Sequence, residues 1–202
     1  QGIERVYLRP EKFYSDKQIS LKIATRVTKV NPAEHTIETQ SGEIFEYNKL
    51  LLATGSRARK LEVAGSDLQN IFYLRTIADV DNIRSAMSSA TKLAIVGGGY
   101  VGLEVASIGI QAGLDVSVIE MEDRILQRVT TPELSAYYEN LHRERGVKIH
   151  TNTLLEGFEG KTTVTALKCD NQLIEADVVV IGVGIIPNTE LAEDCGIECN
   201  NG

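Results

Sequence analysis

The feature that most restricts the fold is the segment from Leu93 to Glu120, LAIVGGGYVGLEVASIGIQAGLDVSVIE, near the middle of the chain. Gly97, Gly99 and Gly102 have the spacing G-x-G-x-x-G directly after an apolar run, and Glu120 ends the next apolar run. In a strand–turn–helix–strand unit, the first glycine permits a tight turn and the second lets a pyrophosphate approach the backbone. The third lets the helix press on the strand. The segment therefore predicts a dinucleotide-binding turn.

The acid at the end of the second strand indicates which nicotinamide nucleotide is bound. A carboxylate such as Glu120 accepts hydrogen bonds from the adenosine ribose hydroxyls and repels a 2′-phosphate, for which an arginine is typical. Glu122 and Asp123 add to the repulsion, so NADH is favoured over NADPH. Arg124 has two interpretations that stay open: it stacks on the adenine, or it is a solvated side chain beside two acids.

Two candidate catalytic residues are Tyr100, within the glycine turn, and Glu104, in the first turns of the predicted helix. Tyr100 lies in the turn itself, where a large side chain points toward the ligand crevice, so we expect it to act as a gate. Glu104 either benefits only from the positive end of the helix or accepts a hydrogen bond from the nicotinamide carboxamide. A stripe of small residues, expected to lie on the sheet, comprises Gly102, Ala106, Gly109 and Gly113.

An internal repeat indicates how the rest of the chain is organised. Residues 24–56 align without a gap on residues 153–185 at an offset of 129, so that Gly42 meets Asn171 and LLLATG meets VVIGVG. Each copy has short alternating strands, typical of a β-meander, followed by an apolar strand of the kind found in buried parallel sheets.

A duplication places the glycine turn of the first copy before Gln1, so we expect the chain to be a fragment. Residues 1–78 are then a partial FAD-binding domain and residues 79–202 an NAD-binding domain. The expected fold class is α/β, a Rossmann-like parallel sheet with an antiparallel meander and a partial duplicate at the N-terminus. Between the copies, residues 71–90 predict a crossover and a helix with Asp79 as its N-cap, and with Val80, Ile83 and Met87 on one face.

Composition excludes several classes of function. The chain has 202 residues, 43% of them hydrophobic, and a net charge of −7. That charge argues against a nucleic-acid partner, and no apolar run approaches the roughly 18 residues of a membrane helix. Three cysteines form no C-x-x-C pair and no metal-ligand spacing, and the three histidines are scattered. We therefore expect a cytoplasmic protein without a metal site.

Several segments together resemble one family: VGGGYVGLEVA, LLLATGSRAR, YLRTIADVDNIR, YYENLHRERGV and VGIIPNTELA. They are similar to the FAD-dependent, NADH-using ferredoxin reductases of bacterial oxygenase systems, the putidaredoxin and rubredoxin reductase group of the pyridine nucleotide-disulfide oxidoreductases. The resemblance implies an FAD domain interrupted by an NAD domain. It also implies hydride transfer from NADH to FAD and release of single electrons to a [2Fe-2S] ferredoxin or a rubredoxin.

The resemblance also implies roles for individual residues. The expected NAD-binding positions are Gly97, Gly98, Gly99, Tyr100, Val101, Gly102, Glu104 at the carboxamide, Glu120 at the ribose, Arg124, and Gly184 near the nicotinamide. The expected FAD-proximal positions are Ala53, Thr54, Gly55 and Arg57.

Two other functions remain open. One is a flavoprotein of the NADH oxidase or nitrite reductase type, which shares the glycine patterns. The other is an isolated NAD-binding module, because a truncated flavin site is not expected to hold FAD tightly.

Truncation also leaves Leu50, Leu51 and Leu52 beside an unpaired strand edge. We therefore expect residues 1–75 to be poorly ordered or to dock onto a second copy of the chain.

Overall fold

The computed structural model describes residues 6–170 and 172–202. The helices are α1 Glu11–Asp16, α2 Ile77–Met87, α3 Tyr100–Gln111, α4 Pro132–Glu144 and α5 Glu190–Asp194. The first seven strands are β1 Val27–Asn31, β2 Thr36–Thr39, β3 Ile44–Glu46, β4 Ser56–Ala58, β5 Ile71–Tyr73, β6 Lys92–Val96 and β7 Asp115–Ile119. The others are β8 Lys148–His150, β9 Leu155–Gly160, β10 Val164–Cys169, β11 Gln172–Glu175, β12 Val178–Ile181 and β13 Ile185–Pro187.

The chain divides into two compact units, one of residues 1–55 with 187–202 and one of residues 56–186. These bounds differ from the predicted border between residues 78 and 79. The physical reason is strand pairing, because β5 pairs in parallel with β12 and places Ile71 opposite Val179. The assignment of one cofactor to each domain stays a prediction.

The second unit is built on a five-stranded parallel sheet with the order β5-β12-β6-β7-β8. Alternate residues of each central strand enter two separate cores. Leu93 and Ile95 pack with α2 and α3 on one face, whereas Ala94 and Val96 pack with the β9–β11 meander on the other. Burial on both faces explains why these strands are continuously apolar. The predicted α/β fold with a parallel sheet and an antiparallel meander is confirmed.

Both predicted meanders form. In the first unit the sheet order is β1-β2-β3, with α5 packed against β1, and in the second it is β11-β10-β9. Shifting 27–31, 36–39 and 44–46 by 129 positions gives 156–160, 165–168 and 173–175, which fall within β9, β10 and β11. The predicted match of Gly42 with Asn171 lies outside the described residues.

The repeat is less exact after the meanders. The second copy continues into β12, but the corresponding first-copy residues 49–52, and the residues after them as far as 55, are assigned to no strand. Leu51 is 87% exposed. Within residues 6–170 and 172–202, no strand pairs with this segment. The predicted apolar strand with a buried edge is therefore not formed in this segment, and association with a second copy stays a prediction.

Two details of the helices differ from expectation. Helix α2 has Thr76, not Asp79, as its N-cap; Asp79 is the third residue of the helix and completes a capping box with Thr76. The small-residue stripe of α3 covers the sheet only as far as Gly109. Gly113 lies beyond the last helical turn with a φ of +81°, a conformation that favours glycine and ends the helix.

None of the helices in the described part of the chain combines the length and apolarity needed to cross a bilayer.

Cys169 is fully buried. This burial, with a smaller contribution from the nearby Asp170 and Glu156, raises the pKa of its thiol to about 11. A thiol with so high a pKa is almost wholly protonated and unreactive at neutral pH.

Asp177 joins the start of β12 to the start of β6. Its Oδ2 accepts hydrogen bonds from the backbone N–H of Thr91 (2.8 Å) and of Lys92 (2.9 Å) and from the Thr91 hydroxyl (2.8 Å). The Thr91 N–H, with smaller contributions from the other two donors, lowers the pKa of this carboxyl below its ordinary value of 3.8, although burial opposes the change.

We expect Asp177→Asn to lower the free energy of unfolding near neutral pH by about 1 kcal/mol, since a charged acceptor is replaced by a neutral one at an exposed site. Because the folded pKa is depressed, the wild-type advantage is fully present above the ordinary carboxyl pKa. It is lost as the pH falls through the folded value. Urea denaturation at several pH values measures this difference, with the exposed Asp67→Asn as control. A deficit that is unchanged at low pH would contradict the assignment.

Candidate dinucleotide-binding site

The candidate site lies where the strand order of the parallel sheet reverses. Strands β6 and β12 are neighbours, yet the chain leaves β6 toward β7 on one side and returns to β12 on the other. The glycine turn follows β6, and Gly182 follows β12 and donates its N–H to the carbonyl of Val96 at 2.8 Å. Ligands of open α/β sheets bind at such switch points, beyond the carboxyl ends of the strands.

Two of the three glycines of the turn have the packing roles predicted for them, and the approach of a pyrophosphate at Gly99 stays a prediction. A Cβ on Gly97, whose φ is +109°, would lie 2.5 Å from the carbonyl oxygen of Gly182. A Cβ on Gly102 would overlap the carbonyl oxygen of Gly97. A Cβ on Gly99, in contrast, would meet nothing within 4 Å. Gly97 and Gly102 are therefore required by the packing of the turn, whereas the absent side chain of Gly99 keeps space open above it.

The N-terminus of α3 faces this open space. Its N-cap is Gly99, which has no side chain to accept a hydrogen bond from the first turn. The first N–H groups of a helix have no intrahelical acceptor and carry the positive end of the helix dipole. This end of α3 therefore fits the diphosphate of a dinucleotide.

The Glu120 carboxylate is held beside the turn by two backbone donors. Oε2 accepts from the N–H of Gly98 at 2.7 Å, and Oε1 accepts from the N–H of Glu122 at 3.0 Å. Each carboxylate oxygen has a second lone pair with which it can accept a ribose hydroxyl. The predicted acid is thus fixed in place at the end of β7, and its contact with a ribose stays a prediction. The N–H of Gly98 is engaged by this carboxylate.

Arg124 is not the solvated side chain that one interpretation expected. Its guanidinium donates to the carbonyl oxygens of Gln127 (3.0 Å) and Thr130 (3.1 Å) and to the Oγ of Ser135 (2.6 Å). Ser135 is itself 1% exposed and donates to the carbonyl of Ile125 at 2.7 Å. Arg124 therefore folds the loop that joins β7 to α4. The other interpretation, stacking on an adenine, stays a prediction.

The remaining predicted NAD-binding residues lie near the same edge of the sheet. Tyr100 and Val101, in the first turn of α3, are 54% and 44% exposed. Glu104 is exposed one turn after Tyr100 and on the same face of the helix. Gly184, beyond β12, has a φ of +104°, and a Cβ added to it would meet no atom within 4 Å. These positions agree with a site at this edge, and the gating and carboxamide roles stay predictions.

Two of the four predicted FAD-proximal residues, Thr54 and Gly55, are held by a partner that the sequence interpretation did not assign. Asn188 donates its side-chain amide to the carbonyl of Thr54 at 3.0 Å and its N–H to the carbonyl of Gly55 at 2.9 Å. The Thr54 hydroxyl donates to the Asn188 carbonyl in return. Ala53 is exposed beside them, and Arg57 lies on β4 in the second unit. The sequence feature that could have identified Asn188 is its position directly after a strand and a proline.

Comparison with known proteins places the chain in a family. The model of the pyridine nucleotide-disulphide oxidoreductases matches residues 4–202. The chain belongs to this family. Within it, the chain is 42% identical to putidaredoxin reductase of Pseudomonas putida, and the match covers 98% of the chain and 49% of the relative.

Other members of the family are also similar to the chain. The ferredoxin reductase subunit of a 5,5′-dehydrodivanillate O-demethylase from a Sphingobium species is 41% identical, over 92% of the chain and 46% of that protein. A crystal structure of a covalent putidaredoxin reductase–putidaredoxin complex matches with a TM-score of 0.93 and 41% identity, over 100% of the chain and 50% of that structure. The chain thus spans about half the length of the relatives that it matches.

Gly99 and Gly102 differ in how closely other atoms surround them, so substitutions at these two positions test the structure of the turn directly. We expect Gly102→Ala to lower the free energy of unfolding by about 1–3 kcal/mol, because the added methyl group overlaps the Gly97 carbonyl. Gly99→Ala, at a backbone conformation open to any residue, should change it by less than about 0.5 kcal/mol. Thermal unfolding of both variants measures the difference between them. Equal losses in the free energy of unfolding would show that the turn is packed differently.

Proposed function

We propose that the chain provides the NADH site and part of the flavin site of an FAD-dependent reductase. This enzyme passes electrons from NADH through FAD to a small iron–sulfur protein, a [2Fe-2S] ferredoxin or a rubredoxin, that serves an oxygenase. The observation that carries the proposal is the glycine turn with Glu120 fixed beside it by two backbone N–H groups. The names of the relatives that match nearly the whole chain support the choice of electron acceptor.

The residues of the chain have distinct tasks in this proposal. The N-terminus of α3 binds the diphosphate, and Glu120 accepts the ribose hydroxyls of the adenosine. Tyr100 covers the nicotinamide site until the nucleotide enters, and Glu104 accepts the carboxamide N–H₂ so that one ring face is presented. Bound FAD would supply the conversion of a two-electron donor into single electrons. Hydride transfer of this kind depends on position and orientation rather than on a protein acid or nucleophile.

The residues present fit NADH at the glycine turn more completely than they fit FAD. The space above Gly99 and the uncapped end of α3 form a cradle for a diphosphate. On the flavin side, the Thr54–Gly55 backbone is held in place by Asn188. We therefore propose that the chain by itself binds NADH and holds FAD only weakly. A cytoplasmic location is part of the proposal, because all three cysteines are free thiols.

An NADH oxidase function has weaker support. The water-forming NADH oxidase of Lactobacillus brevis matches with a TM-score of 0.88 but only 20% identity, a likeness that extends to the fold alone. The third candidate is an isolated NAD-binding module. It differs from the proposal because no flavin site takes part in its function. One experiment separates the three functions.

The experiment is a graft of this chain into putidaredoxin reductase of P. putida in place of the matching half. We expect the hybrid to retain its yellow flavin and to reduce putidaredoxin with NADH. The matched control is the same hybrid with Gly99→Val, which should keep the flavin and lose NADH affinity, since the added side chain fills the diphosphate cradle. A yellow hybrid that consumes NADH only with oxygen would favour the oxidase. A colourless hybrid that still binds NADH would favour the isolated module.

A second prediction concerns nucleotide choice. Glu120→Ala with Met121→Arg should shift the ratio of kcat/KM for NADH and NADPH in the hybrid toward NADPH by about 10-fold or more, because an anion is removed and a cation is added. Met121 is 60% exposed, so an arginine there has room. Met121→Gln, which adds no charge, is the control. An unchanged ratio in a folded double variant would remove Glu120 from the ribose site.

A further inference from the structure

We propose that Glu122 is a second determinant of nucleotide choice, and that it acts by holding Arg128 away from the phosphate that distinguishes NADPH. This inference rests on the proposed NADH site and goes beyond it. Glu120 discriminates through its own charge at the ribose. Glu122 adds a different effect, because it neutralises a cation of the loop that is otherwise able to receive a 2′-phosphate.

The contacts connect Glu122 directly to the ribose-binding acid. Its N–H donates to Glu120 Oε1 at 3.0 Å, so its backbone position is fixed by the same carboxylate that is expected to bind the ribose. Its own carboxylate accepts from the Gln127 side-chain amide at 3.2 Å through Oε2. The other oxygen, Oε1, lies 3.4 Å from Arg128 Nη2.

The two arginines of this loop differ in how firmly they are held. Three partners engage the guanidinium of Arg124: the carbonyl oxygens of Gln127 and Thr130 and the hydroxyl of Ser135. These contacts tie Arg124 to the loop, so its guanidinium is not available to a ligand without their loss. The Arg128 side chain is 75% exposed, and it pairs with Glu122 at a long distance. A guanidinium with five donors in a planar fork binds a phosphate in a bidentate manner.

Glu122 is therefore placed to determine whether Arg128 is available. With Glu122 charged, the arginine is paired and the loop presents Glu120 and Glu122 to an incoming 2′-phosphate. With Glu122 neutral, one repulsive charge disappears and Arg128 is released at the same time. In Glu122→Gln the glutamine oxygen still accepts the hydrogen bond from the Gln127 amide. Only the ion pair with Arg128 is lost, and an ion pair of this kind contributes little to stability. This variant therefore separates both effects on nucleotide binding from an effect on folding.

The test compares the affinities of the chain for NADH and NADPH by isothermal titration. We expect Glu122→Gln to increase affinity for NADPH about 10-fold and to leave affinity for NADH nearly unchanged. Asp123→Asn is the matched control. It removes the same charge from the next residue, which is exposed, and should give a much smaller gain because it frees no cation. Adding Arg128→Gln to Glu122→Gln should remove most of the gain.

Two results would overturn the inference while the proposed function stands. Equal gains from Glu122→Gln and Asp123→Asn would show that only the total charge of the loop matters. A gain that survives Arg128→Gln would show that Arg128 does not bind the phosphate. A wild-type chain that binds neither nucleotide would instead overturn the proposed NADH site, and the inference with it.

Discussion

The structure depends on the close approach of α3 to the strands beneath it. Gly102 lies against the Gly97 carbonyl, and a Cβ on Gly109 would come within 2.6 Å of the Leu93 side chain and 2.9 Å of that of Val116. Only a helix without side chains at these points can press so close to the sheet. That approach places the first turn of the helix at the switch point between β6 and β12, where the turn and Glu120 meet. The proposed dinucleotide site at this edge therefore depends on the packing of one helix face.

Much of the fold could be predicted because its causes are local. The period-two alternation of the meanders, the apolar runs of β6, β7 and β12 and the glycine spacing each reflect a constraint within a few residues. The predicted start of α2 was wrong by three residues because Thr76 and Asp79 are both good caps, and only the reciprocal bonds between them show which one precedes the helix. Gly113 was misplaced because a small residue in a stripe and a small residue that ends a helix look the same in a sequence.

The parts that could not be predicted rest on contacts between distant residues. Glu120 was identified from its place at a strand end, but the two backbone donors that fix it depend on how the turn and the loop fold together. The role of Arg124 depends on Ser135, a residue of α4 with no feature that distinguishes it in the sequence. The unit bounds depend on the pairing of β5 with β12, strands more than one hundred residues apart.

The two backbone bonds of Glu120 also bear on how such a protein diversifies. If Glu120 binds the ribose as proposed, it both recognises a ligand and supports the polypeptide around it, and it cannot be exchanged for one purpose without disturbing the other. The side chain of Arg128 supports no backbone in this way. It is exposed, pairs only loosely with Glu122, and can change with little effect on the scaffold. Variation in ligand preference among descendants of this chain is therefore expected first at such peripheral positions, with the central acid retained.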